Sequence, residues 1–433
     1  MRFFLVAIIA STPGVPLVAQ ESRVPSSAWL ARLPDGEVKR KFILDCTGCH
    51  QFDEKIARVG GRPRTKTEWA EAVTRMLGYA GARTGFPIIA ADRDPQGTAA
   101  WLAKYLGPGA RVPKRMPQAG AKITEFLMPE ANDLPHDIAV ERSGTVLVTG
   151  MFTHRLYRLD PADGRISEIP IPIANANPRA IEMDSLGQPW LVLGTPQKLA
   201  MMTRDSQWRS FDVAVYPHSL AIDWAGKVWF NGHFTRAPEL IGSVDAATGK
   251  VVTHQVPAHP TLAAGPGGPI PYEIRVGPDG RVWGSELIGN RLFVFTPSSG
   301  KFEVFPLPLP HSGPRRFDVD ARGIVWIPAY SANRLLRFDP STRKFSEIPL
   351  PFRDAVPYII RADPRSGALW IGTAAADALL RYDPAKGQFE TYPLPSRGAL
   401  IRHLAVDPRR DAVWVAYGAS PGIPARIARV LRR

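Results

Sequence analysis

The only two cysteines of the chain lie three residues apart and are followed at once by a histidine, within Lys41–Phe52 (KFILDCTGCHQF). Covalent haem attachment, thiol–disulfide exchange and zinc binding all use clusters of this kind. A thioredoxin-like pair needs a strand before the motif and has no use for the histidine, and a structural zinc site needs a second pair of ligands, whereas the next histidine is His136. The motif therefore predicts c-type haem, with thioether bonds from Cys46 and Cys49 and with His50 as an axial iron ligand.

The residues around the motif, 25–107, show helical patterns. Residues 34–45 form an amphipathic segment that leads directly into Cys46, and residues 94–106 predict a helix that ends at a Gly-Pro pair. Between them, Thr65-Lys-Thr-Glu68 fits a capping box that opens a third helix. With a helix before the motif and a last helix that ends in Trp-Leu-Ala-Lys-Tyr-Leu, this region resembles a small, all-α class I cytochrome c domain.

The sixth iron ligand has more than one candidate. The cytochrome family usually supplies a methionine from the region before the last helix, and Met76 is the only methionine between His50 and Trp101. Met76 shares a helical stripe with Trp69, which is also the pattern of a core methionine. Met116 is the alternative, and a vacant or different sixth position stays open. A thioether ligand would suit electron transfer, whereas an open position would permit ligand binding.

From residue 121 onward the chain repeats with a spacing of about 40 residues. Each copy has a strand led by proline, a Gly/Asp turn and a strand built around tryptophan, as in the copy that starts at Tyr216 (YPHSLAIDWAGKVWFNG). A second element, clearest at 333–351, supplies two more strands. Seven such copies predict an all-β, seven-bladed β-propeller over residues 122–433, joined to the helical domain by a linker at 108–121.

The strand count also predicts how the ring closes. The seventh copy ends on its third strand (ARIARVLRR), while an extra strand (KITEFLMP, 122–129) precedes the first copy. We therefore expect the extra strand to complete the last blade. The tryptophans of the repeats are expected to pack between blades and not to form a ligand cage; they are Trp190, Trp229, Trp283, Trp326, Trp370 and Trp414.

These repeats, together with strands of the type KFxEhPLP, resemble the virginiamycin B lyase (streptogramin lyase) family over residues 121–433. The resemblance implies the propeller fold and a metal-assisted elimination that opens a cyclic depsipeptide. The lyases carry a histidine at the start of the sixth inner strand, Glu-Pro-His at the seventh, and a glutamate where the next strand of the seventh blade ends. This chain has Tyr358, Arg402 and Ala416 there, so the lyase constellation is absent.

The first residue of each inner strand is expected on the ligand face of the propeller. We call these seven residues the inner rim: His136, Arg179, His218, Tyr272, Arg315, Tyr358 and Arg402. Four residues are candidates for elimination chemistry or for binding a divalent metal. They are the two rim histidines, His136 and His218, and two residues near the ends of second strands, His233 and Glu286. The rim arginines predict contacts to an anionic ligand. The alternatives are loop histidines with ordinary hydrogen bonds and arginines in salt bridges between blades.

The N-terminal sequence predicts where the protein is located, and the distribution of its charge indicates which partners it can bind. A short apolar run interrupted by Pro13 and Pro16 predicts a signal peptide at 1–19 and export to the periplasm, and no segment is long enough to span a bilayer. The net charge is +14, but the basic residues are dispersed and form no nucleic-acid motif.

Together these features predict an electron-transfer protein. Its haem would exchange electrons with a small, anionic molecule on the propeller and with a redox partner protein. An elimination moves no electrons and needs no haem, so an oxidoreductase is favoured over a carbon–oxygen lyase with an altered metal site. A non-catalytic binding module is the third hypothesis, because a propeller fold does not fix a function.

Overall fold

The computed structural model describes residues 24–84, 88–89, 93–110, 123–234, 237–418 and 423–431. The predicted signal peptide, the alternative ligand Met116 and most of the predicted linker lie outside these residues. In the described part of the chain, no helix is long and apolar enough to cross a membrane.

Residues 24–110 hold five helices and a small two-stranded sheet. In chain order these are α1 (Ser26–Leu30), α2 (Glu37–Cys46), α3 (Glu54–Ala57), β1 (Arg58–Val59), β2 (Arg62–Pro63), α4 (Lys66–Ala80) and α5 (Pro95–Leu106). The three helices that the sequence predicts are thus present. The capping box at the start of α4 is confirmed, because Glu68 N–H donates to the Thr65 hydroxyl at 3.2 Å and the Glu68 carboxylate accepts from Thr65 N–H at 2.8 Å.

The remaining strands form seven antiparallel sheets of four strands, which confirms the seven-bladed propeller. The first strand after the helices is β3 (Ile123–Leu127). Blade 1 comprises β4 (Pro135–Val140), β5 (Val146–Gly150), β6 (Arg155–Leu159) and β7 (Ile166–Pro170). Blade 2 comprises β8 (Pro178–Met183), β9 (Pro189–Leu193), β10 (Lys198–Met202) and β11 (Trp208–Asp212). Blade 3 comprises β12 (Pro217–Ile222), β13 (Val228–Gly232), β14 (Leu240–Val244) and β15 (Val251–Gln255).

Blades 4 to 7 follow the same pattern, except that the inner strand of blade 5 is short. Blade 4 comprises β16 (Pro271–Val276), β17 (Val282–Glu286), β18 (Arg291–Thr296) and β19 (Lys301–Pro306), and blade 5 comprises β20 (Asp318–Val319), β21 (Val325–Ala329), β22 (Arg334–Asp339) and β23 (Lys344–Pro349). Blade 6 comprises β24 (Pro357–Ala362), β25 (Leu369–Thr373), β26 (Ala378–Asp383) and β27 (Gln388–Pro393). Blade 7 begins with β28 (His403–Asp407), β29 (Ala412–Tyr417) and β30 (Arg426–Leu431).

The ring closes as the sequence predicts. Strand β3 pairs antiparallel with β30, so that the last sheet has the order β28-β29-β30-β3. The Glu125 carboxylate of β3 accepts hydrogen bonds from Ser396 N–H at 3.0 Å and from the Tyr417 hydroxyl, and lies 3.6 Å from Arg426 Nε. One carboxylate therefore links the first strand of the propeller to three parts of the last blades.

The tryptophans of the repeats are buried between blades, as predicted. All six are at most 3% exposed, and Trp326 of blade 5 packs in one cluster with Ile360 and Ile371 of blade 6. The Trp326 indole N–H also donates to the turn residue Asp320 at 3.0 Å. Burial of an indole contributes about 4–6 kcal/mol of apolar transfer free energy, so these positions dominate the packing between blades.

The helical region packs on the propeller face that carries the inner rim. A single hydrophobic cluster contains Trp29 and Leu44 of the helical region together with Tyr330 of the propeller. At the edge of this cluster the buried Lys39 ammonium forms an ion pair with Asp354 at 2.8 Å. The two parts of the chain therefore share one core.

Replacing Glu125 tests the closure of the ring. In Glu125→Ala the buried Tyr417 hydroxyl and Arg426 guanidinium lose their carboxylate, and we expect the free energy of unfolding to fall by about 2–4 kcal/mol. Urea denaturation measures this change. The control is Glu168→Ala, which removes an exposed ion pair with Arg155 and should cost less than about 1 kcal/mol. Equal effects of the two changes would contradict the role of Glu125.

Candidate functional site

The Cys-Thr-Gly-Cys-His loop lies directly on the inner rim of the propeller. The Thr47 hydroxyl donates to the Ile43 carbonyl at 2.7 Å and accepts from the Tyr330 hydroxyl at 2.8 Å. Arg402 donates to the Cys49 carbonyl oxygen at 2.6 Å. A Cβ atom at residue 48 would lie 2.4 Å from Nη2 of Arg315, so this close approach requires the glycine that the motif has there.

The two cysteines form no disulfide and differ in their surroundings. Cys46 is the last residue of α2 and packs against the shared hydrophobic cluster, where burial raises the pKa of its thiol to about 12. Cys49 retains some solvent-accessible area. Desolvation by the surrounding protein nevertheless raises the pKa of its thiol, and this effect outweighs that of three guanidiniums, which lower the pKa. Both groups are therefore thiols at neutral pH, and neither has the depressed pKa of a reactive exchange pair.

His50 has one ring nitrogen engaged and the other available. Its Nδ1 lies 3.0 Å from the Gln51 carbonyl oxygen, which can only accept, so Nδ1 carries the proton and Nε2 has a lone pair. The Gln51 side chain donates to Asp377 at 3.1 Å and to the Ala399 carbonyl at 3.0 Å. The propeller thus holds the residue that orients the histidine ring.

The charges of the three rim arginines act on the Cys49 thiol, and Arg402 also contacts the backbone of this residue. Arg402, Arg315 and Arg179 are the three charges that act on its thiol. Arg315 donates to the Tyr272 hydroxyl at 2.6 Å, and its guanidinium carbon lies 4.2 Å from the centre of the Tyr330 ring. Among the ion pairs of the described residues, none includes any of the three arginines. The alternative of salt bridges between blades therefore has no support in the described part of the propeller.

The structure brings the three predicted histidines of the propeller together as neutral, buried groups. The ring centres of His218 and His233 are 4.3 Å apart, and those of His136 and His218 are 5.9 Å apart. Burial lowers the pKa of His136 to about 3, and the pKa values of His218 and His233 lie well below the ordinary value for the same reason. Their Nδ1 atoms are 2.7–2.9 Å from backbone carbonyls or from a carboxylate. Each ring therefore has the tautomer that leaves a lone pair on Nε2.

Two other predicted site residues, Glu286 and Met76, have different surroundings. The Glu286 carboxylate is fully buried in a two-hydrogen-bond ion pair with Arg291, at 2.6 and 2.8 Å. Met76 is 37% exposed and is not part of the cluster that holds Trp69, so it is not a core methionine, and its role as the sixth ligand stays a prediction. Within the residues that the model describes, no group of three or more His, Cys, Asp or Glu side chains could hold a metal ion.

A second layer of polar residues, which the sequence reasoning missed, lies one residue further along the inner strands. Arg316 pairs with Asp137 at 2.8 Å, Arg361 pairs with Glu273 at 3.0 Å, and His403 Nε2 lies 2.9 Å from Arg361. Four of these five residues directly follow a rim residue in sequence. That shared repeat position was the signal that could have found them.

Comparison with known proteins supports the propeller. Residues 262–429 match the virginiamycin B lyase family model. Virginiamycin B lyase from Staphylococcus aureus is 21% identical with a TM-score of 0.63, over 72% of this chain and 100% of that one. Kuenenia stuttgartiensis hydrazine synthase is 13% identical with a TM-score of 0.55, over 72% of this chain and 99% of that one. No curated protein matches the chain. The chain therefore contains a virginiamycin B lyase-like seven-bladed propeller, and these identities establish the fold alone.

Replacing Gly48 tests the contact between loop and rim. In Gly48→Ala the new methyl group would overlap Nη2 of Arg315, and the guanidinium must leave the tyrosines that hold it. We expect a loss of about 1–3 kcal/mol in the free energy of unfolding. The control is Gly78→Ala on α4, where nothing lies within 4 Å and the helix should gain about 0.5–1 kcal/mol. Thermal and urea unfolding compare the two, and a neutral Gly48→Ala would contradict the contact.

Replacing Asp377 tests the pH dependence of the contact between Gln51 and blade 6. Burial raises the pKa of Asp377 to about 6, whereas an unfolded aspartate titrates near ~3.9. The folded chain binds more protons between these values, so the free energy of unfolding should fall as the pH rises from about 4 to about 6, by up to about 2–3 kcal/mol. Asp377→Asn cannot ionise and should remove this part of the slope. Urea unfolding at a series of pH values measures it, and an unchanged slope in the variant would refute the assignment.

Proposed function

We propose that this chain is an exported c-type haem protein. The haem would be bound to Cys46, Cys49 and His50 and would exchange single electrons with a small molecule held at the inner rim. The observation that carries the proposal is the position of the Cys-Thr-Gly-Cys-His loop on that rim, where Arg402 contacts the Cys49 carbonyl and Tyr330 contacts Thr47. A group attached to Cys49 is therefore adjacent to a ligand of the rim.

The residues of the loop fit covalent haem. Both cysteines are free, and one follows the other by three residues at the end of α2. The lone pair on Nε2 of His50 would coordinate iron, and the Gln51 carbonyl that accepts from Nδ1 is the kind of partner that fixes a metal-bound imidazole. The raised thiol pKa values argue against a thiol–disulfide exchange pair. When bound, the haem supplies one-electron chemistry at the iron.

The residues of the propeller would position and hold the partner molecule. The guanidiniums of Arg179, Arg315 and Arg402 bind and orient an anion, while the cover formed by the loop and the helical region limits the access of water to the rim. The neutral histidines supply lone pairs for hydrogen bonds or proton transfer from the ligand, because their pKa values are too low for a resident charge at neutral pH. A separate redox protein would then exchange electrons with the haem.

Two features weigh against elimination of the streptogramin lyase type. Tyr358 and Arg402 occupy rim positions where the lyases carry histidines, and Glu286 is held by Arg291. The helical region also lies over the rim, so a large cyclic depsipeptide could reach the histidines only after that region had moved.

Expression in a bacterial periplasm, together with a haem attachment system, tests the cofactor. We expect a c-type pyridine haemochrome spectrum and a mass increase of one haem for the native chain. Cys46→Ala and Cys49→Ala should each lose one thioether and change that spectrum, and the double variant should lose covalent haem. His50→Ala should keep the covalent bond but change the axial ligation seen in the absorbance of the oxidised and reduced forms.

His259→Ala is the matched control, because this histidine lies in a propeller loop and hydrogen-bonds the Gly289 carbonyl at 3.1 Å. It should leave the spectrum of the native protein unchanged. A native chain that is folded and exported but contains no covalent haem would refute the proposal. A double cysteine variant that still carries covalent haem would refute the attachment site.

A further inference from the structure

The three rim arginines, Arg179, Arg315 and Arg402, which we call the arginine cluster, are unusual in their lack of carboxylates. Other buried arginines of the propeller are neutralised, such as Arg316 by Asp137 and Arg291 by Glu286. Within the described residues, no ion pair involves the arginine cluster, although Arg315 is 3% and Arg402 is 4% exposed. A buried charge without a counter-charge is strongly destabilising. Two such charges, with the half-buried Arg179 on the same rim, point to another source of negative charge.

The arginine cluster also has hydrogen-bond donors without acceptors. Nε and Nη2 of Arg315, Nη1 of Arg402 and Nε of Arg179 are buried and have no hydrogen-bond partner. Native proteins rarely leave such groups unsatisfied, and a missing ligand is one ordinary explanation. All three arginines lower the pKa of the Cys49 thiol against the effect of burial, and Arg402 also donates to the Cys49 carbonyl at 2.6 Å, so the charges of the arginine cluster act at this residue of the loop.

Tyrosine rings fix the planes of the guanidiniums. The centres of the Tyr330, Tyr358 and Tyr272 rings lie 4.2, 4.7 and 5.1 Å from the guanidinium carbon of Arg315. The Tyr216 ring lies 5.4 Å from that of Arg179. Guanidiniums held over rings present their N–H groups in plane, and in-plane pairs of N–H groups match the two oxygens of a carboxylate.

We propose that the arginine cluster is the binding site of a small organic carboxylate, held between the inner rim and Cys49. This inference deepens the proposed function by naming the class of molecule at the rim, and it rests on that function only for the role of the ligand. The propionates of the haem itself are not the expected ligand. They extend from the edge of the macrocycle opposite the edge that bears the thioethers, whereas Arg402 and Arg315 lie beside Cys49 and Gly48 of the loop.

Calorimetric titration of the full-length chain with acetate and benzoate tests the site, with benzamide as the neutral analogue of benzoate. We expect both carboxylates to bind and benzamide not to bind. Arg402→Gln and Arg179→Gln should each weaken binding by about tenfold or more, because each removes a charge-assisted hydrogen-bond pair. Arg343→Gln is the matched control, since Arg343 is exposed and pairs with Glu303 away from the rim, and it should leave the affinity unchanged.

Three outcomes would overturn the inference. They are the absence of carboxylate binding by the folded chain, equal affinities in the native chain and both rim variants, and tighter binding of inorganic phosphate than of acetate. A fourth concerns the haem: if the double cysteine variant binds acetate and the haem-loaded chain does not, the carboxylates at the arginine cluster are the propionates. Because the heat of binding is measured with and without haem, failure of the haem proposal leaves this test valid.

Discussion

The contact of the Gly48 backbone with the Arg315 guanidinium joins the two parts of this protein. A Cβ atom at residue 48 would lie 2.4 Å from Nη2, so a residue with a side chain would require the guanidinium to shift. Arg315 donates a hydrogen bond to the Tyr272 hydroxyl and packs on the ring of Tyr330. The hydroxyl of Tyr330 in turn hydrogen-bonds the Thr47 hydroxyl of the loop. The cysteine motif, the rim and the tyrosines therefore keep their positions together, and a change in one must move the others.

The rim and the layer of residues beneath it differ in whether their arginines form ion pairs with carboxylates. Beneath the rim, each buried guanidinium has a carboxylate, as in the pairs Arg316–Asp137 and Arg361–Glu273. Among the described residues the rim arginines pair with no carboxylate, and the neighbouring histidines contribute no charge because burial lowers their pKa values. The positive field over the loop therefore comes from guanidiniums alone. A nearby anion would stabilise this arrangement, which is why we use charge as the guide to the ligand.

The likeness to the lyases is a likeness of fold. Buried tryptophans such as Trp326 and turn aspartates such as Asp320 hold neighbouring blades together and are distant from the ligand face. Rim residues can change without loss of the ring, and here Tyr358 and Arg402 stand where the lyases have histidines. A common propeller can thus serve a different chemistry. In this chain the rim also serves as a docking surface for the helical region.

The sequence by itself determined three of the five described helices, the seven blades, the strand that closes the ring and the identities of the rim residues. These features follow from local periodicity, capping and a repeat of constant register, which neighbouring residues encode. Only the tertiary structure decided that the cysteine loop lies on the rim and that Asp377 holds Gln51. Contacts between residues hundreds of positions apart leave no periodic signal, because they depend on how finished elements pack against one another.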